Sequence, residues 1–204
     1  MVPKGNKKKQ IVRASKAFLN QRNTGNRQLC ESKRMRKMKV IFCDVDGVLN
    51  NAVTKARSPS GYVGVSDQLI LKLKTIVSRT GAAIVLSSDW RLVKDDPVHG
   101  KDYRYLARKL LFVGKMKISD HTKDIAWKYR GLEIRTYLDE HPEVSAFVVL
   151  DDLPFRDFKI NGLLGNLVLT DPKAGLTDAD VDRAVRILRG ERVEPCDSRH
   201  FTDD

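Results

Sequence analysis

Short runs of apolar and β-branched residues alternate along this chain with longer segments in which apolar residues recur at helical spacing. Such short runs are typical of strands that are buried on both faces of a sheet. They cover residues 39–43, 82–86, 146–150 and 166–169. Helices are predicted over residues 66–81, 103–111, 131–140 and 177–190. This alternation predicts an α/β fold with a parallel sheet that is covered by helices on both faces.

Residues at the segment ends support two of these helices. Ser66 can cap the first helix and Gly81 can end it. Thr177 and Asp180 resemble a capping box at the start of the last helix, and Gly190 can close it.

Polar residues follow three of the predicted strands at the point where each strand ends. They are Asp44 and Asp46, Ser87 and Ser88, and Asp151 and Asp152. In a parallel sheet these ends meet at one edge, where ligands bind. Either acidic pair alone could be explained by turn or loop-capping residues. Because three strand ends converge on this edge from more than a hundred residues of sequence, a functional site is favoured instead.

Four carboxylates at one sheet edge would repel one another unless a cation neutralised them. Carboxylate oxygens are the ligands that Mg²⁺ prefers, together with phosphate oxygens and waters. Asp44 and Asp46 are two residues apart and are expected on the same side of an extended backbone. One carboxylate could then attack a phosphorus atom while the other handles the proton.

The sequence around these residues resembles the haloacid dehalogenase (HAD) superfamily. KVIFCDVDGVLN (39–50) is similar to its first motif, IVLSSDWR (84–91) to its second and FVVLDD (147–152) to its fourth. The resemblance implies that Asp44 is the nucleophile and Asp46 the general acid/base. It also implies a Mg²⁺ site whose predicted ligands are Asp44, Asp46, Asp151 and Asp152, with Asp46 binding through its backbone carbonyl.

The resemblance also implies residues that bind the substrate phosphate. The third motif is a basic residue at the start of the helix before the fourth motif, where Arg130 replaces the usual lysine. Lys128 is the alternative for this role. Counting back from the W-R pair makes Ser88 the second-motif residue. Arg91 would be a second phosphate-facing base, with an ordinary surface arginine as the alternative.

Finer features are similar to the HAD domain of Swiss-army-knife RNA repair proteins. They are the S-x-W-R ending of the second motif, R-G-x-E-I at 130–134 and T-D-P-x-x-G-L-T at 170–177. The resemblance covers about residues 38–190 and implies a three-layer, Rossmann-like HAD phosphatase fold. Segments 48–65 and 92–129 are too short for a full cap domain, so minimal or no cap is expected.

An open site favours the phosphorylated end of a large molecule, here an RNA or DNA end in nucleic-acid repair. Three alternatives remain at this point. They are a small-molecule or nucleotide phosphatase, a phosphoprotein phosphatase, and a nucleic-acid-binding module whose acidic site does not turn over.

The positive charge is concentrated at the N-terminus. Residues 1–37 hold 12 of the 38 Lys and Arg but one of the 26 acids, so they carry +11 of the net charge of +12. This composition predicts a disordered extension. It is interpreted as an electrostatic arm for nucleic acid, as a targeting segment, or as a solvated or upstream extension before a start at Met35 or Met38. Residues 191–204 are predicted to be a short tail.

The remaining sequence signals concern compartment and partners. The three cysteines form neither a zinc pattern nor a disulfide framework, which favours a reducing, cytoplasmic compartment; organellar targeting by the basic segment is the alternative. No apolar run is long enough to span a bilayer, so no membrane partner is expected. The sequence leaves the oligomeric state open.

Overall fold

A five-stranded parallel sheet forms the centre of the chain, within the residues that the computed structural model describes: 37–92, 95, 100–125 and 129–197. The strands are Met38–Cys43 (β1), Ala83–Leu86 (β2), Ile118–His121 (β3), Val144–Asp151 (β4) and Leu167–Leu169 (β5). Their order is β3-β2-β1-β4-β5, and all neighbours are parallel. The predicted parallel sheet is confirmed. Residues 1–36 lie outside the described part, so the proposals for the basic segment stay predictions.

Helices connect the strands. They are Asp67–Thr80 (α1), Gly100–Lys109 (α2), Arg130–Glu140 (α3), Arg156–Ile160 (α4) and Asp178–Leu188 (α5). The predicted capping box of α5 is present, because Asp180 donates its N–H to the Thr177 hydroxyl and accepts from the Thr177 N–H at 2.9 Å. Ser66 precedes α1 as predicted, but its side chain makes no capping bond. Gly81 ends α1 in the left-handed conformation, with φ of 70°.

The two faces of the sheet build two separate hydrophobic layers. Along β1, Ile41 and Cys43 pack against α1, α2 and α5, whereas Val40 and Phe42 pack against α3 and α4. Alternate residues of a strand point to opposite faces, so a continuous apolar run serves both layers. The resulting helix–sheet–helix arrangement is the predicted three-layer α/β fold.

No separate cap domain is present among the described residues. The segment between β2 and α3 contributes α2 and β3 to the body of the fold, and between β1 and α1 the chain forms turns with one bridge between Arg57 and Val63. Within the described ranges, no helix combines the length and the apolar character that a membrane span requires.

Candidate active site

The carboxyl ends of β1, β2 and β4 meet at one edge of the sheet. Cys43, the last residue of β1, is in register with Leu86 of β2 and Leu150 of β4, so the polar residues that follow these positions come together. They lie at a cleft of about 310 Å³. The predicted site residues that line this cleft are Asp44, Asp46, Ser88, Arg91, Arg130 and Asp152. Asp151 is fully buried, and its carboxylate lies beside those of Asp44 and Asp152.

Three of the four predicted acidic residues form a tight cluster. One carboxylate oxygen from each of Asp44, Asp151 and Asp152 lies within 4.8 Å of the others. Burial raises the pKa of Asp44 and, together with the charge of Asp44, raises the pKa of Asp151 well above its usual range. Burial and the Asp44 charge likewise raise the pKa of Asp152 to about 6. A divalent cation would stabilise the ionised form of three carboxylates that lie so close together. Because carboxylate oxygens are ligands of Mg²⁺, these residues fit that ion.

Gly47 makes room for one member of this cluster. Its φ is +66°, and a Cβ atom at this position would lie 2.3 Å from Cγ of Asp152. The turn is also held by Thr170, whose hydroxyl donates to the Gly47 carbonyl at 2.9 Å. Glycine is therefore required both by the left-handed backbone and by the close approach of Asp152.

Asp46 lines the same cleft, and its carboxylate is held by hydrogen bonds from two neighbouring residues. Its side chain is exposed, with Oδ1 accepting from Asn50 Nδ2 at 2.7 Å and Oδ2 accepting from Trp90 Nε1 at 3.0 Å. The argument that Asp44 and Asp46 share a side of an extended strand does not apply, because β1 ends at Cys43 and a turn follows. The carboxylate of Asp46 is not part of the three-residue cluster. Its implied backbone contact to the metal stays a prediction.

Arg130 occupies the position predicted for the basic residue of the third motif. It is the first residue of α3, is 7% exposed, and places Nη1 at 3.2 Å from Asp151 and 3.6 Å from Asp44. Burial by itself would lower the pKa of Arg130, yet the charges of Asp151 and Asp44 outweigh it and leave the pKa raised. Arg130 is thus a fixed cation beside the predicted nucleophile. Lys128, the alternative, lies outside the described residues.

Arg91 is turned into the protein. Its guanidinium donates to Glu133 at 2.6 Å and to the backbone carbonyls of Ser87 at 2.9 Å and Thr122 at 3.1 Å. Its side chain is 3% exposed, so the alternative of an ordinary surface arginine is wrong. These three hydrogen bonds use three of the five N–H donors of the guanidinium and fix its orientation at the cleft that it lines, and the contact with phosphate stays a prediction.

Ser88 lies directly beside the predicted nucleophile. It is 1% exposed, and a hydrogen bond from its side chain lowers the pKa of Asp44 in opposition to burial. It also begins the short 3₁₀ turn Asp89–Arg91, where its hydroxyl accepts from the Trp90 N–H. This placement suits a hydroxyl that contacts both the nucleophile and a bound phosphate, and the phosphate contact stays a prediction.

Three further residues of the site were missed by sequence reasoning. Asn50 and Trp90 donate hydrogen bonds to the carboxylate of Asp46, and Glu133 lines the cleft between two arginines. Burial raises the pKa of Glu133, and the charge of Arg91 opposes this shift. All three belong to the motifs that carry the resemblance, which is the signal that could have singled them out.

Comparison with known proteins identifies one family. Its model is described as the HAD domain in Swiss Army Knife RNA repair proteins and matches residues 40–181. The matched segment includes every predicted site residue, from Asp44 to Asp152. Searches of the curated proteins and of the solved structures found no match.

Proposed function

The chain belongs to the family of HAD domains in Swiss Army Knife RNA repair proteins and is a HAD-type phosphatase, and we propose that it removes phosphate from a polynucleotide end through an aspartyl-phosphate with the help of Mg²⁺. The observation that carries this proposal is the environment of Asp44. Its carboxylate lies at the sheet edge with Arg130 at 3.6 Å and two further carboxylates within 4.8 Å. This arrangement provides a nucleophile, a fixed positive charge and a cation site at one point.

Asp44 must be ionised to attack phosphorus. Burial raises its pKa, but the Arg130 charge and the hydrogen bond from Ser88 act in the opposite direction. A Mg²⁺ ion held by Asp44, Asp151 and Asp152 would supply further positive charge for the carboxylates and for the phosphate oxygens. The protein therefore offsets the desolvation of its nucleophile with charges fixed before the substrate binds.

In the first step a carboxylate oxygen of Asp44 forms a bond to phosphorus while the bond from phosphorus to the leaving oxygen breaks. Asp46, exposed at the cleft, gives its proton to the leaving oxygen. In the second step Asp46 takes a proton from water, whose oxygen attacks phosphorus and releases Asp44 and inorganic phosphate. Arg130 faces the place where negative charge develops in both steps.

Two features support a large substrate. The described residues form no cap over the cleft, and several apolar side chains on its rim are exposed, among them Leu92, Tyr129 and Leu153. Such a rim can contact the sugar and base that carry a terminal phosphate. The charge of +11 in residues 1–37 would add affinity for a nucleic-acid backbone. A nucleotide or other small phosphomonoester is the second candidate, because a cleft of about 310 Å³ lies within the range of small-ligand sites.

The test is a phosphatase screen of the full chain with and without Mg²⁺. The substrates are p-nitrophenyl phosphate, mononucleotides, and oligonucleotides phosphorylated at the 5′ or the 3′ end. We expect Mg²⁺-dependent release of phosphate with the highest kcat/KM on one oligonucleotide end, and none with Asp44→Asn. Higher kcat/KM on mononucleotides would favour the second candidate. Equal activity in EDTA would refute the role of the metal.

A further inference from the structure

The carboxylate of Asp46 is held by one hydrogen bond on each of its oxygens. Asn50 donates to Oδ1 at 2.7 Å, and the indole N–H of Trp90 donates to Oδ2 at 3.0 Å. Asp46 itself is exposed, so without these two bonds its side chain would rotate in solvent. Two donors on two different oxygens fix the plane of the carboxylate.

Both donors are themselves fixed in orientation. Asn50 is 4% exposed, and its side-chain oxygen accepts from the Gly47 N–H at 3.0 Å, so its amide nitrogen must face Asp46. Trp90 lies in the 3₁₀ turn that begins at Ser88, and an indole nitrogen can only donate. Since Asn50 follows β1 and Trp90 follows β2, the carboxylate is tied to the ends of two strands.

We propose that Trp90 is a positioning residue that, together with Asn50, holds the Asp46 carboxylate where it can transfer a proton to the leaving oxygen. This inference rests on the proposed function, in which Asp46 is the general acid. The two bonds occupy one lone pair on each oxygen. The proton that Asp46 transfers must therefore be carried on a remaining lone pair. The hydrogen bonds from Asn50 and Trp90 determine the direction of that lone pair.

The leaving group distinguishes this role from a structural one. An alkoxide leaves poorly and needs the Asp46 proton as its bond to phosphorus breaks, whereas p-nitrophenolate is stable enough to leave with little help. Loss of the indole N–H should therefore slow the transfer of phosphate from an alkyl ester much more than from an aryl ester. A mere loss of stability or of phosphate binding would slow both reactions equally.

The experiment measures kcat/KM of the full chain with Mg²⁺ on 2-glycerophosphate and on p-nitrophenyl phosphate. The variants are Trp90→Phe, Asp46→Asn and the double variant, with Tyr62→Phe as an exposed aromatic control away from the cleft. Because general acid catalysis contributes roughly 10²–10⁴-fold, we expect Trp90→Phe to lose about tenfold or more on the alkyl ester and about threefold or less on the aryl ester. In the Asp46→Asn background, Trp90→Phe should cause no further loss on the alkyl ester.

The possible failures are separable. Equal losses on the two esters in Trp90→Phe, while Asp46→Asn shows the selective loss, would overturn the positioning role and leave the proposed function intact. A further loss in the double variant would also overturn it, because Trp90 would then act independently of Asp46. Absence of the selective loss in Asp46→Asn, or absence of phosphatase activity in the wild-type chain, would overturn the proposed mechanism and this inference with it.

Discussion

Replacement of Gly47 by alanine tests the geometry of the acidic cluster most directly. The added Cβ would lie 2.3 Å from Cγ and Oδ2 of Asp152, whereas ordinary contacts begin at 3.4 Å. Asp152 would therefore have to move by about 1 Å, which exceeds the tolerance of about 0.2 Å in metal–ligand distances. We expect the side chain to leave the cluster, so that only Asp44 and Asp151 remain for the metal.

A second effect of this substitution is strain in the backbone. A left-handed conformation costs a residue with a Cβ atom about 1–2 kcal/mol. For a domain of this size, each kcal/mol lowers Tm by about 2–4 °C. Gly162 supplies the matched control, since its φ is +67° and a Cβ atom there would meet nothing within 4 Å. Gly162→Ala thus introduces the same strain without the collision with Asp152.

The assay is a titration of phosphatase activity with Mg²⁺. Disturbed support of a metal ligand typically costs about 10–100-fold in metal affinity, so the concentration for half-maximal activity should rise by that factor in Gly47→Ala. Gly162→Ala should have a lower Tm than the wild type but the same Mg²⁺ dependence of activity. If both variants show the same Mg²⁺ dependence, Asp152 is not a ligand whose position Gly47 secures, and the proposed metal site is wrong.

Four further predictions concern the site and the N-terminal segment. Asp44→Asn should abolish turnover while its circular dichroism spectrum stays unchanged. If this variant kept the activity of the wild type, Asp44 would be excluded as the nucleophile. Arg130→Ala should reduce kcat/KM strongly and Lys128→Ala only slightly, and the reverse result would move the role to Lys128. In EDTA, stability should fall as the pH rises from about 4 to about 6, because the raised pKa of Asp152 makes the folded chain bind more protons than the unfolded chain; a Tm that rises through this window would contradict the shift. A chain starting at Met38 should keep its rate on p-nitrophenyl phosphate but bind oligonucleotides with a flatter salt dependence, by about 0.7 per lost phosphate contact; identical slopes would refute the arm.

The strands that are buried on both faces could be predicted from the sequence. β1 and β4 have neighbours on both sides and are apolar for most of their length, whereas the edge strand β3 reads ISDH and pairs with β2 alone. β3 therefore lacks the apolar run that identifies the other strands, whereas the second edge strand, β5, keeps one as LVL and is largely buried. The five-residue helix α4 is too short to establish a helical period.

The sequence predicted residues that lie at the site, but it did not predict which residues the side chain of Asp46 contacts. Register of parallel strands brings the residues after Cys43 and Leu150 to one edge, so the cluster of Asp44 and Asp151 follows from the strand ends alone. Asp46 lies one residue into a turn, where the two-residue period of a strand no longer applies. Its contacts with other loops depend on turn geometry, which a hydrophobic pattern does not encode.

The arginine at position 130 contacts three carboxylates at once. Nη1 faces Asp151 at 3.2 Å and Asp44 at 3.6 Å, while Nη2 faces Asp89 at 3.3 Å. A planar guanidinium can serve several carboxylates at once and can lie against an aromatic ring, as it does over Phe155 at 5.1 Å, whereas an ammonium group is a compact point charge. A lysine here would keep a charge beside the nucleophile but lose the link to the loop after β2. Arg130→Lys should therefore retain more activity than Arg130→Ala and still fall short of the wild type. Full activity in Arg130→Lys would show that charge alone is sufficient at this position.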